Sequence, residues 1–161
     1  MYYTIFNEGW GQYPARGIYE ACKTWDPTRV YDTASGWFRT AHSDVESEHV
    51  YFKPVRLRLP KKKPTVLSEF GGYAHRVEGH VFNLKMTSGY KKFADREAFE
   101  NALVDLYENE IVPAARAGLC GAVLTQLSDV EDEVNGLVTY DRKVVKADAK
   151  RMQAIAKKLQ F

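Results

Sequence analysis

The sequence predicts an α/β fold, a parallel sheet with helices packed on its outside, and three observations predict it. Short runs of β-forming residues alternate with amphipathic segments along the chain. Two of these runs end in a glutamate with glycine close behind, the point where a strand hands over to a tight loop. No internal repeat or low-complexity tract interrupts the alternation.

Residues 2–6 are rich in β-formers and stop at Asn7-Glu8-Gly9-Trp10-Gly11, so they read as a first strand ending in a polar loop. Ile18, Ala21, Cys22 and Trp25 recur at i, i+3, i+4 and i+7, the stripe of an amphipathic helix that Asp26-Pro27 ends. Residues 29–33 form a second strand before the turn-rich Ala34-Ser35-Gly36-Trp37, and residues 49–52 a third, closed by Pro54. After the connector Pro60-Lys61-Lys62-Lys63-Pro64, residues 65–68 make a fourth strand that runs into Glu69-Phe70-Gly71-Gly72. The aperiodic stretch 73–90 has the length of a functional lid or substrate wall and is expected over the site. Asp95 is a good N-cap for the longest helix, carried by Phe99, Leu103, Leu106, Tyr107 and Ile111 and ended near Gly118. Residues 121–126 supply a fifth strand, and Met152, Ile155, Ala156 and Leu159 share one face of a basic terminal helix.

With 45% hydrophobic and 13% aromatic residues, the 161-residue chain can bury a real core and reads as one unit, residues 1–161. A formal net charge of +2 creates no long-range field that would gather nucleic acid or an anionic membrane. No apolar run approaches the roughly 18 residues of a spanning helix. The N-terminus lacks the basic region and cleavage site of a signal peptide, and Cys22 and Cys120 are too few for a disulfide framework, so a cytoplasmic setting with small buried thiols is expected. Asp44, Glu46 and Glu48 lack calcium-loop spacing and read as a solvated acidic loop, and the four histidines lack zinc-ligand spacing. No metal and no cofactor are expected. Lys61–Lys63 is too short a run for a nucleic-acid patch and reads as a soluble loop.

Two strands thus deliver a glutamate at their C-terminal ends, Glu8 and Glu69. Any two glutamates taken blindly are mostly surface residues. In a parallel barrel, however, all strand C-termini emerge at one face, and a pair converging there is what glycosidases use.

The flanking residues carry a resemblance. Phe6-Asn7-Glu8-Gly9-Trp10-Gly11 resembles the Asn-Glu acid/base motif that ends barrel strand four in glycoside hydrolase family 2, the β-galactosidases, β-glucuronidases and β-mannosidases. Leu67-Ser68-Glu69-Phe70-Gly71-Gly72 is similar to that family's nucleophile motif at the end of strand seven, in the right order along the chain. Asp44-Val45 and His49-Val50-Tyr51 look like its strand-six segment, where a tyrosine commonly bonds the nucleophile. Thr125-Gln126-Leu127-Ser128-Asp129-Val130-Glu131, Asn135-Gly136-Leu137 and Tyr140-Asp141-Arg142 resemble its strand-eight region, with Gln126 near the place where many members carry tryptophan.

The resemblance implies part of a (β/α)8 TIM barrel, roughly strands four to eight, where a whole barrel takes about 250 residues. It implies Glu8 as general acid/base and Glu69 as nucleophile in retaining hydrolysis of a β-glycoside, their carboxyls about 5–5.5 Å apart. Asn7 has an amide suited to a sugar 2-OH, though asparagine is also a common turn residue. Tyr51 and His49 are expected beside Glu69, Trp10 and Trp37 as faces for a sugar ring, and Gln126 as a further substrate contact. A barrel lacking three strands leaves open edges, so self-association or a missing N-terminal half-barrel is expected as partner. Two other readings compete: an inactive barrel fragment serving as an oligomerising or carbohydrate-contacting module, and a barrel enzyme using paired carboxylates on a non-sugar substrate.

Overall fold

The structure, a computed structural model, describes residues 2–9, 13–59 and 62–160. It is a mixed α/β chain whose paired strands are all parallel. In order come β1 (Tyr2–Asn7), α1 (Ala15–Trp25), β2 (Val30–Ser35), β3 (Glu46–Val50), β4 (Thr65–Gly71), β5 (Tyr73–His75) and β6 (Lys91–Phe93). Then follow α2 (Arg96–Leu106), a π-helical turn (Tyr107–Ile111), α3 (Val112–Arg116), β7 (Leu119–Thr125) and α4 (Ala149–Lys158). The strands make three small sheets, β1–β2, β3–β4–β7 and β5–β6, and no closed barrel forms among the described residues.

Burial separates central from edge strands. β4 is covered along most of its length, as a parallel strand packed on both faces should be, whereas β1 and the far half of β7 are largely exposed. The main core joins Val50, Leu67, Phe70, Leu106, Ile111 and Leu119, and a second cluster gathers Phe99, Leu103 and Ala147. Truncating fully buried Leu67 or Phe70 to alanine would cost about 2–5 kcal/mol through lost transfer energy and the cavity left behind. The Asp95 carboxylate caps α2 by accepting from the Ala98 N–H, and Phe99, Leu103 and Leu106 bury the face that the sequence pattern marks.

Several expectations are corrected. The third strand lies at Glu46–Val50, earlier than residues 49–52, and residues 51–59 continue as an extended strap whose Val55 and Leu57 pack on the core in place of a crossover helix. The supposed acidic loop is therefore partly strand, and its carboxylates are paired. Glu46 and Glu48 meet Arg39, while Asp44 accepts from Tyr19, Lys23 and the Tyr31 N–H. Cys120 is exposed and Cys22 half-buried, neither a core thiol. Within the connector before β4, Pro60 and Lys61 lie outside the described residues, and Lys63 donates to the Ala41 carbonyl. No helix among the described residues is long and apolar enough to cross a membrane.

Candidate active site

Because the strands are parallel, their C-terminal ends deliver side chains to a common rim. Register pairs Asn7 with Ser35, His49 with Glu69 and Gly71 with Thr125, so the ends of five strands are brought level in pairs. Strict alternation would nevertheless put Glu69 on the same face as Leu67, inside the helix-covered core. A bulge prevents this. Leu67 pairs with Glu48 but Glu69 with the next residue, His49, and the β7 ladder shifts over the same span. With one extra residue, Ser68 and Glu69 both reach the Ser47 and His49 side, while Leu67 and Phe70 stay in the core.

Glu8 arrives differently. It follows β1 with φ of 54°, a left-handed conformation uncommon for glutamate, and its N–H donates to the Ser35 carbonyl at 2.9 Å. Such strain, of order 1 kcal/mol or more, is typical of residues whose direction matters more than their comfort.

The two carboxylates meet across His49. Its side chain is fully buried, and Nδ1 lies 3.0 Å from Glu8 Oε1 and 3.3 Å from Glu69 Oε2. Nδ1 hydrogen-bonds Glu8 Oε1, and Glu69 Oε2 lies within ion-pair distance of the same nitrogen. The ring fits because Gly36 carries no side chain, since a Cβ there would lie 2.7 Å from Nδ1. Tyr51, just past β3, donates its hydroxyl to Glu69 Oε2 at 2.6 Å and lies 2.9 Å from Thr125 Oγ1. Burial first, and then the Glu69 hydrogen bond, push the Tyr51 phenol far above its ordinary pKa, so it stays a donor. Glu8 Oε2 and Glu69 Oε1 accept no hydrogen bond among the described residues, leaving one oxygen of each carboxyl for chemistry.

Neither a family model nor a curated protein matches this chain.

The other expected residues divide. Asn7 Oδ1 accepts from Ser35 Oγ at 3.0 Å, which fixes the amide at the rim beside Glu8. Gln126 sits at the end of β7, where its amide donates to Glu133 and Asn135, and a cis peptide bond joins it to Thr125. Trp37 is exposed in the loop after β2 and makes no ring contact with the cluster among the described residues. Trp10 lies outside the described residues.

Two participants escaped sequence reasoning. Thr125 lies in the segment that resembles strand eight, but nothing in that segment marks its hydroxyl as a partner of Tyr51. Tyr90 comes from the long loop expected over the site and stacks on Tyr51 with ring centroids 4.0 Å apart and planes 3° from parallel. Glu8, His49 and Glu69 also offer ligand atoms within 4.8 Å of one another, a donor set that a divalent cation could use. The expected absence of a metal rests on spacing along the chain, which cannot see a trio assembled from three strands. The hydrogen bond between His49 Nδ1 and Glu8 Oε1 accounts for the shortest of these contacts.

Proposed function

We propose that this chain carries the acid/base and nucleophile of a retaining glycoside hydrolase, on part of a (β/α)8 barrel resembling that of family 2. The observation that carries the reading is the convergence of Glu8 and Glu69, from different strands, to within 4.8 Å with one oxygen of each unengaged among the described residues. Oxygens of the two carboxyls that approach this closely are compatible with the short separation of retaining enzymes, about 5–5.5 Å between carboxyl groups. Parallel strands following one another in chain order, with helices between β1 and β2 and between β6 and β7, support the barrel part of the reading.

In the first step Glu69 Oε1 attacks the anomeric carbon, the glycosidic C–O bond breaks, and Glu8 gives its proton to the departing oxygen. Water then attacks the glycosyl–Glu69 ester, Glu8 takes the water's proton, and Glu69 leaves as carboxylate. Tyr51 holds Glu69 Oε2 by its hydrogen bond, with His49 Nδ1 3.3 Å away, so the other oxygen is the one presented. The Asn7 amide can reach a sugar 2-OH, whose hydrogen bonds tighten in the transition state.

The test is hydrolysis of 4-nitrophenyl β-galactoside, β-glucuronide and β-mannoside, with the first-formed anomer read by proton NMR. The β-anomer is expected. The α-anomer as first product would end the retaining mechanism.

A further inference from the structure

The loop between β5 and β6 is tied down next to the carboxylates. The Tyr90 N–H donates to the Gly72 carbonyl at 3.0 Å, and Ser88 joins the segment after β7 through its N–H to the Asp132 carbonyl at 2.6 Å and its carbonyl to the Val134 N–H at 3.0 Å. These bonds lay the Tyr90 ring flat on Tyr51, and Phe52 meets Tyr90 edge-on at 5.1 Å. The approach depends on Gly72, where a Cβ would come within 2.3 Å of the Tyr90 ring.

We propose that Tyr90 is a positioning residue whose stacked ring holds the Tyr51 hydroxyl on Glu69 and so fixes which Glu69 oxygen faces the substrate. The inference rests on the reading of Glu69 as nucleophile. Glu69 Oε2 accepts from Tyr51 at 2.6 Å and lies 3.3 Å from His49 Nδ1, the nitrogen that hydrogen-bonds Glu8 at 3.0 Å. A Tyr51 ring free to swing away from its stacked face would release Oε2 to His49. His49 Nδ1 would then be drawn from Glu8, and both carboxylates would lose their orientation. Burial, and after it the charges of Glu8, Glu133 and Glu69, raises the Tyr90 phenol pKa.

The role assigned is to the ring and not to its hydroxyl, and this separates the variants. With a 2,4-dinitrophenyl 2-deoxy-2-fluoro-β-glycoside as probe, Tyr90→Phe should label at the wild-type rate. Tyr90→Leu, which keeps bulk without a flat face, should label roughly tenfold or more slowly at saturating probe, with half-saturation unchanged. Equal rates for Tyr90→Leu and wild type, or a Tyr90→Phe as slow as Tyr90→Leu, would overturn the proposal.

A second readout needs no reaction: the Tyr51 hydroxyl proton, identified by its loss in Tyr51→Phe, should appear downfield in wild type and Tyr90→Phe and vanish by exchange in Tyr90→Leu. Its persistence in Tyr90→Leu would overturn the positioning role. Absence of labelling in the wild type would instead overturn the reading of Glu69 on which it rests.

Discussion

The Tyr51 hydroxyl sits 2.6 Å from Glu69 Oε2, a charge-assisted bond between the residue after β3 and the bulged position of β4. Tyr51→Phe keeps the ring against Tyr90 and removes only this donor. A hydrogen bond to a charged group is worth about 1.5–3 kcal/mol, so turnover or labelling should fall roughly ten- to a hundredfold in a variant that is still fully folded at the assay temperature. Matched rates for the variant and wild type would show that the bond does not orient the nucleophile.

Glu8→Ala removes the proton donor, and its effect should depend on the leaving group. Dinitrophenyl glycosides, which need little protonation, should retain far more of their glycosylation rate than alkyl glycosides, and added azide should restore the second step. Equal losses on both substrates without azide rescue would take Glu8 out of the acid/base role.

These positions were legible in the sequence to different depths. Glu8 and Glu69 could be placed at strand ends because β-formers run directly into glutamate and glycine. The bulge that turns Glu69 away from Leu67 could not be read, because nothing in Leu-Ser-Glu-Phe departs from an ordinary strand and the shift arises in pairing with β3 and β7. The sequence pattern carries the third strand two residues too far because Tyr51 and Phe52 are good β-formers, yet they lie beyond the ladder. His49 between the carboxylates, and Tyr90 over Tyr51, depend on contacts between segments far apart in the chain. No local pattern encodes those.

Asp32 provides a test of the polar face below the site. Its side chain is fully buried, Oδ2 accepts from the Tyr2 hydroxyl at 2.5 Å, and Oδ1 has no partner among the described residues. Burial, the largest effect, raises its pKa. A carboxyl raised in the folded state stabilises fully below the unfolded value of about 3.9, and that contribution is lost as pH rises through the folded pKa. Asp32→Asn should therefore melt higher than wild type at pH 7, with the advantage shrinking as pH falls toward 4. Equal destabilisation at both pH values would show that the carboxylate is better compensated than its environment indicates.

The outer strands predict association. Among the described residues β1 pairs on one side with β2, and β7 on one side with β4, while Tyr3 and Val123 on these strands are 47% and 53% exposed. Unpaired strand edges with exposed apolar side chains template further pairing. Size-exclusion chromatography with light scattering should give a mass above the 18.4 kDa of one chain. A clean monomer across micromolar concentrations would show that the edges are protected.

The most direct measurement is covalent capture of the nucleophile, because one slow event per chain suffices even where steady turnover is weak. Incubation with 2-deoxy-2-fluoro β-glycosides bearing a dinitrophenyl leaving group, followed by intact mass and peptide mapping, should show one fluorosugar bound through an ester to Glu69. The label should be absent in Glu69→Ala. Labelling at another residue, or none with the galacto, gluco and manno probes alike, would contradict the assignment of Glu69 as a glycosidase nucleophile.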